Sequence, residues 1–256
     1  MRLVTFNILN GRSPADGLVD VARFARAIEL LDPDVLGLQE VDRAQERSMH
    51  ADLTAVAAEA MGATSHRFVA ALSGTPGGAW TAATGIEQPD SAAYGIALLS
   101  RYPVRQWHVA RLPAAPGRVP MLFRDPARVG LARDEPRVAV YARLDSPYGP
   151  MTIATTHVSF LPGWNLVQLR RAMGPLRTAV SPRVLMGDLN MGPRTAALVT
   201  GLKPAASDVT FPAGAPTRQL DHVLFDRLPG RPRGRAWEGD LSDHRALVVD
   251  VDAATA

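Results

Sequence analysis

Short apolar runs occur along the whole chain, and each ends in a polar residue that a core does not need. This pattern constrains the fold more than any other feature of the sequence. Arg2 to Ile8 reads as a strand that delivers Asn7, and Val35 to Leu38 runs into Gln39-Glu40. Met151 to Val158 carries His157, and Val184 to Met186 runs into Gly187-Asp188-Leu189-Asn190. Gln219 to Phe225 holds Asp221, and Ser242-Asp243-His244 stands before the apolar run Ala246 to Val251. Splitting the chain would separate Asn7 and Glu40 from Asp188 and His244. One catalytic domain over residues 1–256 is therefore expected, with a length sufficient to bury a large core.

Helical periodicity covers Asp16 to Leu31, with Leu18, Val21, Ala25 and Ile28 on one face and Asp32-Pro33 as the stop. Ala51 to Met61 reads as a second helix closed by Gly62, and Leu166 to Ala179 as a third, interrupted at Gly174-Pro175. Gly95 to Leu99 and Val138 to Leu144 add strands. Ala71 to Tyr94 and His108 to Pro136 read as two long loops, a length that is usually functional or mobile.

Composition excludes several chemistries. The chain has no cysteine, so disulfides, thiolate metal sites and cysteine nucleophiles are ruled out, and a cytoplasmic setting is expected. No stretch approaches the ~18 apolar residues of a membrane span, and Met1 to Phe6 reads as a strand rather than a leader. A monomer is expected. Lys203 is the only lysine among 28 basic residues. Arginine forks suit phosphate, although such a bias also follows from genome composition.

Taken singly, each polar residue has a structural reading. His157 could be a satisfied core histidine, Asp221 could start a hairpin strand, and Asp188 and Asn190 could be turn residues. Together they form an oxygen-rich set (Asn7, Glu40, Asp188, Asn190, Asp243) with two histidines and no cysteine. Such a set suits magnesium, manganese or calcium, and its histidines and carboxylates supply acid–base capacity near neutral pH. His222 follows Asp221 in a strand and is expected on the opposite face as a structural residue.

The ordered blocks Thr5-Phe6-Asn7, Leu38-Gln39-Glu40-Val41, Thr155-Thr156-His157, Gly187-Asp188-Leu189-Asn190, Leu220-Asp221-His222 and Ser242-Asp243-His244 resemble those of the endonuclease/exonuclease/phosphatase superfamily. Gly95 to Pro103 also looks like that family's central strand and turn. The resemblance implies an α/β fold, a four-layer α/β sandwich of two packed mixed β-sheets flanked by helices. It implies that Glu40 is a metal ligand for Mg²⁺ or Mn²⁺, that Asn7 supports the metal site and that Asp243 is a further metal-side carboxylate. Asp188 would orient or deprotonate water, and Asn190 would hold the phosphate or that water. His244 would stabilise charge on the scissile phosphate with Asp221 fixing its ring, and His157 matches the second histidine of the nuclease and sphingomyelinase branches.

The expected activity is divalent-metal-dependent hydrolysis of a phosphodiester, in a nucleic acid or a phospholipid head group, by in-line attack of an activated water. Two alternatives are a non-catalytic binding module with the same fold and a phosphomonoesterase acting on a small soluble ester. Arg137, just before a strand, is a candidate phosphate contact. Arg231, Arg233 and Arg235 read as a basic loop that could follow a nucleic-acid backbone, and Met121-Leu122-Phe123 as an apolar segment that could touch lipid.

Overall fold

The computed structural model describes residues 1–88, 90–124 and 127–252, with the side chains of 120–129 and 132 outside the description. The first half of the chain contains β1 (Arg2–Asn7), α1 (Val21–Leu31), β2 (Val35–Arg43), α2 (Leu53–Met61), β3 (Ser65–Gly74), β4 (Trp80–Ala82), β5 (Ala93–Ser100) and β6 (Val104–Leu112). Next come β7 (Arg118–Arg124), β8 (Ala127–Arg133), β9 (Arg137–Ser146), β10 (Gly149–His157), α3 (Trp164–Thr178), β11 (Arg183–Asp188) and α4 (Pro193–Thr200). The chain closes with β12 (Lys203–Pro204), β13 (Asp221–Asp226), β14 (Pro232–Trp237) and β15 (Ala246–Val251).

Seven strands form one sheet in the order β14-β15-β1-β2-β5-β3-β4, and six form the other in the order β12-β13-β11-β10-β9-β6. Both sheets are mixed: β1 runs parallel to β2, and β10 parallel to β11, among antiparallel neighbours. Alternation along the strands gives each sheet two apolar faces. Leu3, Ile96, Val140, Ile153, Met186 and Val249 fill the space between the sheets. The outer face of the first sheet packs Phe6 and Leu38 against Phe24, Ile28 and Leu53 of α1 and α2. The outer face of the second packs Leu185 and Leu224 against Leu169, Leu176 and Ala196 of α3 and α4. The result is the four-layer α/β sandwich. No helix among the described residues is long and apolar enough to cross a membrane.

Local chemistry moves several boundaries from those the sequence suggests. The first helix starts at Val21 because Asp16 accepts the Leu18 N–H in a turn and Asp20 caps the Arg23 N–H. Leu18 is left 63 % exposed instead of facing the core. The third helix continues through Pro175, since Met173 and Leu176 are buried on either side of it and their packing opposes the proline's ~3 kcal/mol penalty. α4 was not expected; Pro193 in its first turn and Gly201 just past its end are the signals that mark it.

Both expected long loops contain strands: β3 runs on to Gly74 and pairs with β4, and β6 pairs with β9. β7 and β8 form a separate two-stranded hairpin, and Met121 to Phe123 lie in it with their side chains outside the described residues. The basic segment is not a loop either, because Arg233 and Arg235 belong to β14, an edge strand. Its Arg233 end lies beside Asp250 and bonds Asp252, whereas its Trp237 end pairs with Ala246, close to His244. Arg231 and Arg233 therefore sit at the end of the sandwich away from the candidate residues.

Candidate active site

The register of the second sheet places three candidates side by side. His157 of β10 pairs with Asp188 of β11, and Asp188 pairs with Asp221 of β13. They form a transverse row at one end of the sheet. The first sheet faces this row with Asn7 at the end of β1 and Glu40 in β2. Asn7 joins the two sheets: its Nδ2 donates to Glu40 Oε1 at 3.0 Å and to Asp188 Oδ2 at 3.1 Å. Below it, Thr5 Oγ1 donates to Gln39 Oε1, and Gln39 Nε2 donates to Thr155 Oγ1 at 3.0 Å. This buried polar link fixes the spacing of the sheets under the site.

Glu40 owes its position to a bulge. The register between β2 and β5 shifts between Gln39 and Val41, and Glu40 takes φ 57°. One extra residue lets Gln39 face the inter-sheet space and Val41 the outer core, while Glu40 turns toward the cleft. Asn190 (φ 47°) and Ser242 (φ 67°) also occupy the left-handed region, so three residues that shape the cleft carry backbone strain. Gly187 has φ 143°, and a Cβ there would lie 1.9 Å from Thr156 O. Gly187→Ala is therefore expected to lower Tm by several degrees, at about 2–4 °C per kcal/mol of strain. Scanning calorimetry of the full chain would measure it, and an unchanged Tm would show that the strand moves aside freely.

His244 is held from both sheets. Ser242 Oγ donates to Asn7 O at 2.6 Å and accepts the His244 N–H at 3.1 Å. The ring Nδ1 lies 2.8 Å from Asp221 Oδ2, which also accepts Thr210 Oγ1 at 2.6 Å. The other nitrogen, Nε2, lies 3.8 Å from Asp188 Oδ2. Phe211 packs on the ring with centroids 4.8 Å apart. Burial would lower the His244 pKa, but Asp221, Asp188 and Asp243 outweigh it and raise it to about 10. The ring is thus an imidazolium at neutral pH.

His157 has the opposite state. Burial, then the charges of Arg137 and His244, hold its pKa well below the usual value. Arg137 Nη1 lies 3.4 Å from His157 Nδ1. A guanidinium can only donate, so Nδ1 accepts and the ring proton resides on Nε2. Nε2–H points into the cleft toward Asp188 Oδ2 at 3.5 Å. Asn190 Nδ2 lies 3.3 Å away but is itself a donor, taken up by Val158 O, and makes no hydrogen bond to this N–H. Arg137 is only 6 % exposed, and its Nε is buried without a partner.

Burial and the neighbouring Asp221 push Asp188 up to about 7. Asp188 Oδ1 accepts the Asn190 N–H at 2.9 Å, and Asn190 Nδ2 donates to Val158 O at 3.1 Å. Burial raises Glu40 as well, and the charge of Asp243 adds to it. All nine residues singled out from the sequence therefore gather at this end of the sandwich. Asp188, Asp221 and His244 form a group whose ligand atoms lie within 4.8 Å of one another. His222 faces away, as expected, with Nε2 2.8 Å from Met191 O. The sequence motifs include Gln39 and Thr155 without a role for either, and sequence reasoning missed the supporting residues Thr210, Phe211 and Asn165, the last with its Nδ2 donating to Asn190 O at 3.0 Å.

Three solved structures share this architecture. Mannosyl-6-phosphatase Bt3783 from Bacteroides thetaiotaomicron matches 98 % of this chain and 99 % of its own, with TM-score 0.67 and 14 % identity. Sphingomyelinase C from Streptomyces griseocarneus matches 98 % of this chain and 99 % of its own, with TM-score 0.64 and 15 % identity. A double mutant of Staphylococcus aureus beta toxin with bound magnesium ions matches 98 % of this chain and 99 % of its own, with TM-score 0.65 and 13 % identity. No curated protein matches the chain in sequence. The sequence of residues 4–244, which includes every candidate residue from Asn7 to His244, matches the Endonuclease/Exonuclease/phosphatase family, and the chain belongs to that family.

Proposed function

We propose that the protein is a divalent-metal-dependent phosphoesterase that cleaves a phosphodiester by in-line attack of water. One observation carries this reading. A row of His157, Asp188 and Asp221 on one sheet faces Asn7, Glu40 and His244 across a cleft, with one neutral and one cationic imidazole. Mannosyl-6-phosphatase and sphingomyelinase C, both of this fold, support phosphate-ester chemistry.

The donor set suits a hard cation. Glu40 forms no ion pair among the described residues, its one hydrogen bond comes from Asn7, and Asp243 lies near enough to raise its pKa. Two neighbouring carboxylates without a paired cation are an all-oxygen site of the kind magnesium or manganese takes, and beta toxin of the same fold binds magnesium. Glu40 and Asp243 would hold the ion, with Asn7 orienting Glu40. Bound there, it would supply positive charge beside the phosphate and lower the pKa of coordinated water.

The chain's own residues account for the rest. Asp188, poised near neutral, orients the attacking water and takes its proton. Asn190 fixes the Asp188 carboxylate through its N–H and lines the water's position. Charge then builds on the phosphate oxygens, where His244 Nε2–H and His157 Nε2–H donate. Asp221 keeps the His244 proton on Nδ1 as well, and Arg137 keeps the His157 proton on Nε2.

Hydrolysis of phosphate esters is expected to vanish with excess chelator and return with magnesium or manganese. Glu40→Gln should raise the metal concentration needed for half-maximal rate, with parallel weakening of magnesium binding by calorimetry. A panel of nuclease substrates, choline phospholipids and chromogenic mono- and diesters tests both the metal and the ester class. Full activity in chelator sinks the metal assignment, and preference for monoesters sinks the diester assignment.

A further inference from the structure

At the edge where β3 of one sheet faces β6 of the other, beside the cleft, lies a cavity of about 480 Å³. Arg43, Arg67 and Arg111 line it, with Thr84, Gly85 and Glu87 of the following loop. β4 covers β3 only from Leu72 to Gly74, so the cavity stays open along the edge.

The charges do not cancel. Glu87 is turned onto its own loop, where it accepts the Thr84 N–H, the Thr84 hydroxyl at 2.9 Å and the Gly85 N–H at 2.8 Å. None of the three arginines makes an ion pair among the described residues. Arg43 is held over the Phe68 ring at 4.8 Å and donates from Nη2 to Gln88 O at 3.4 Å, while its Nε is buried without a partner. A buried N–H in this state is costly until an acceptor arrives. Arg111 Nη1 bonds Ala70 O at 3.2 Å, and its Nη2 lies so close to Gly85 (φ 100°) that a Cβ there would be 2.9 Å away. Arg67 makes no hydrogen bond among the described residues and is exposed at the mouth. Three arginines lining one open cavity supply the charged N–H donors that a phosphoryl group takes.

The cavity is near the cleft. Ala70 pairs with Gly95, which pairs with Val41, the residue after Glu40. Two strand spacings of ~4.8 Å separate β3 from β2, so the Ala70 wall of the cavity lies about 10 Å across the sheet from the backbone of Val41. We propose that this cavity is a second anion site, which takes a non-scissile phosphoryl group, so that the preferred substrate carries at least two phosphates. Its link to catalysis rests on the phosphoesterase reading; its affinity for an anion does not. The second phosphate could come from a nucleic-acid chain or from a small bisphosphate.

The test has two arms. In the first, inorganic pyrophosphate is titrated calorimetrically into the full chain in excess chelator, with and without Arg67→Gln and Arg111→Gln together. The double variant should lose one site, or bind it about 10-fold or more weakly, since each charged hydrogen bond is worth about that factor. Arg67→Gln alone, which breaks no hydrogen bond among the described residues, should show part of the loss. Equal binding by all three proteins overturns the site.

The second arm compares a short oligonucleotide, a hexose bisphosphate and bis(p-nitrophenyl) phosphate. KM of the double variant should rise about 10-fold for whichever multiply phosphorylated substrate is turned over, with kcat held and the single-phosphate diester unaffected. A rise confined to the oligonucleotide assigns the site to nucleic acid, and one confined to the bisphosphate assigns it to a small substrate. Unchanged KM for every substrate overturns the proposal. If neither protein hydrolyses any ester, the phosphoesterase reading fails, and the pyrophosphate titration still decides the cavity.

Discussion

His244→Ala is expected to lower turnover about 10²–10³-fold or more, the range for removing a donor aimed at developing transition-state charge. The geometry makes this loss hard to compensate. Phe211 covers one face of the ring, Ser242 fixes its backbone, and Asp221 is buried at 2.8 Å from Nδ1. Asp221→Asn should cost less, because it removes the charge that keeps the ring cationic but leaves the ring in place. The double variant should be about as poor as His244→Ala alone, since groups that act as a unit are not additive. Steady-state kinetics on a chromogenic diester would read all three. Strictly multiplicative losses would mean that Asp221 acts independently, for instance through its unpartnered buried Oδ1.

The candidate residues could be read from the sequence because each violates the logic of its own strand. An amide at Asn7 or a carboxylate at Asp188, directly after apolar residues, must be reconciled with burial, and a shared cleft reconciles all of them at once. The groups that hold them could not be read that way. Thr210 sits among turn residues, and its value lies in a bond to Asp221, which only the folding of the loop onto β13 creates. Gln39 was visible as part of a block, but its role as a link to Thr155 depends on two sheets meeting face to face. The positive φ at Glu40 follows from a register shift that no local pattern announces.

The fold shows the same division. Buried central strands such as β1, β5, β10 and β11 are apolar and stand out. Edge elements do not: β6 reads Val104-Arg105-Gln106-Trp107-His108, and β14 reads Pro232-Arg233-Gly234-Arg235, because one side of each faces solvent. Their loop-like composition is what displaced the basic segment from its expected role. With Arg233 bonded to Asp252 at the far end, the basic residues nearer the cleft include Arg137 within it and Arg43, Arg67 and Arg111 at the neighbouring cavity, contributed by three different strands.

Asp188→Asn is expected to reduce kcat about 10²–10⁴-fold, the usual contribution of a positioned general base. A purely structural role predicts a similar loss, so stability must separate the two. In metal-free protein, burial and Asp221 raise the folded pKa of Asp188 to about 7, against about 3.9 when unfolded. Between these values the unfolded chain is ionised while the folded chain holds the proton. The unfolded state then binds fewer protons, and the wild type loses stability as pH rises from about 4 to 7. Above pH 7 both states are ionised and the penalty is complete. From pH 5 to 8 it amounts to roughly 2–3 kcal/mol, or about 5–10 °C in Tm. Asp188→Asn removes this titration. It also sets a new donor against Asn7 Nδ2, but that cost does not vary with pH and cancels when the two proteins are compared across the range. Asp188 is one of three charges that raise His244, so the variant loses part of that shift. With Asp221 and Asp243 still holding the ring protonated up to pH 8, His244 adds the same pH dependence to both proteins over this range. With chelator present, the Tm of the variant relative to wild type should therefore rise between pH 5 and pH 8. A constant difference would show that Asp188 is an ordinary ionised anchor for Asn7 and Asn190, and the assignment of water activation to it would fall.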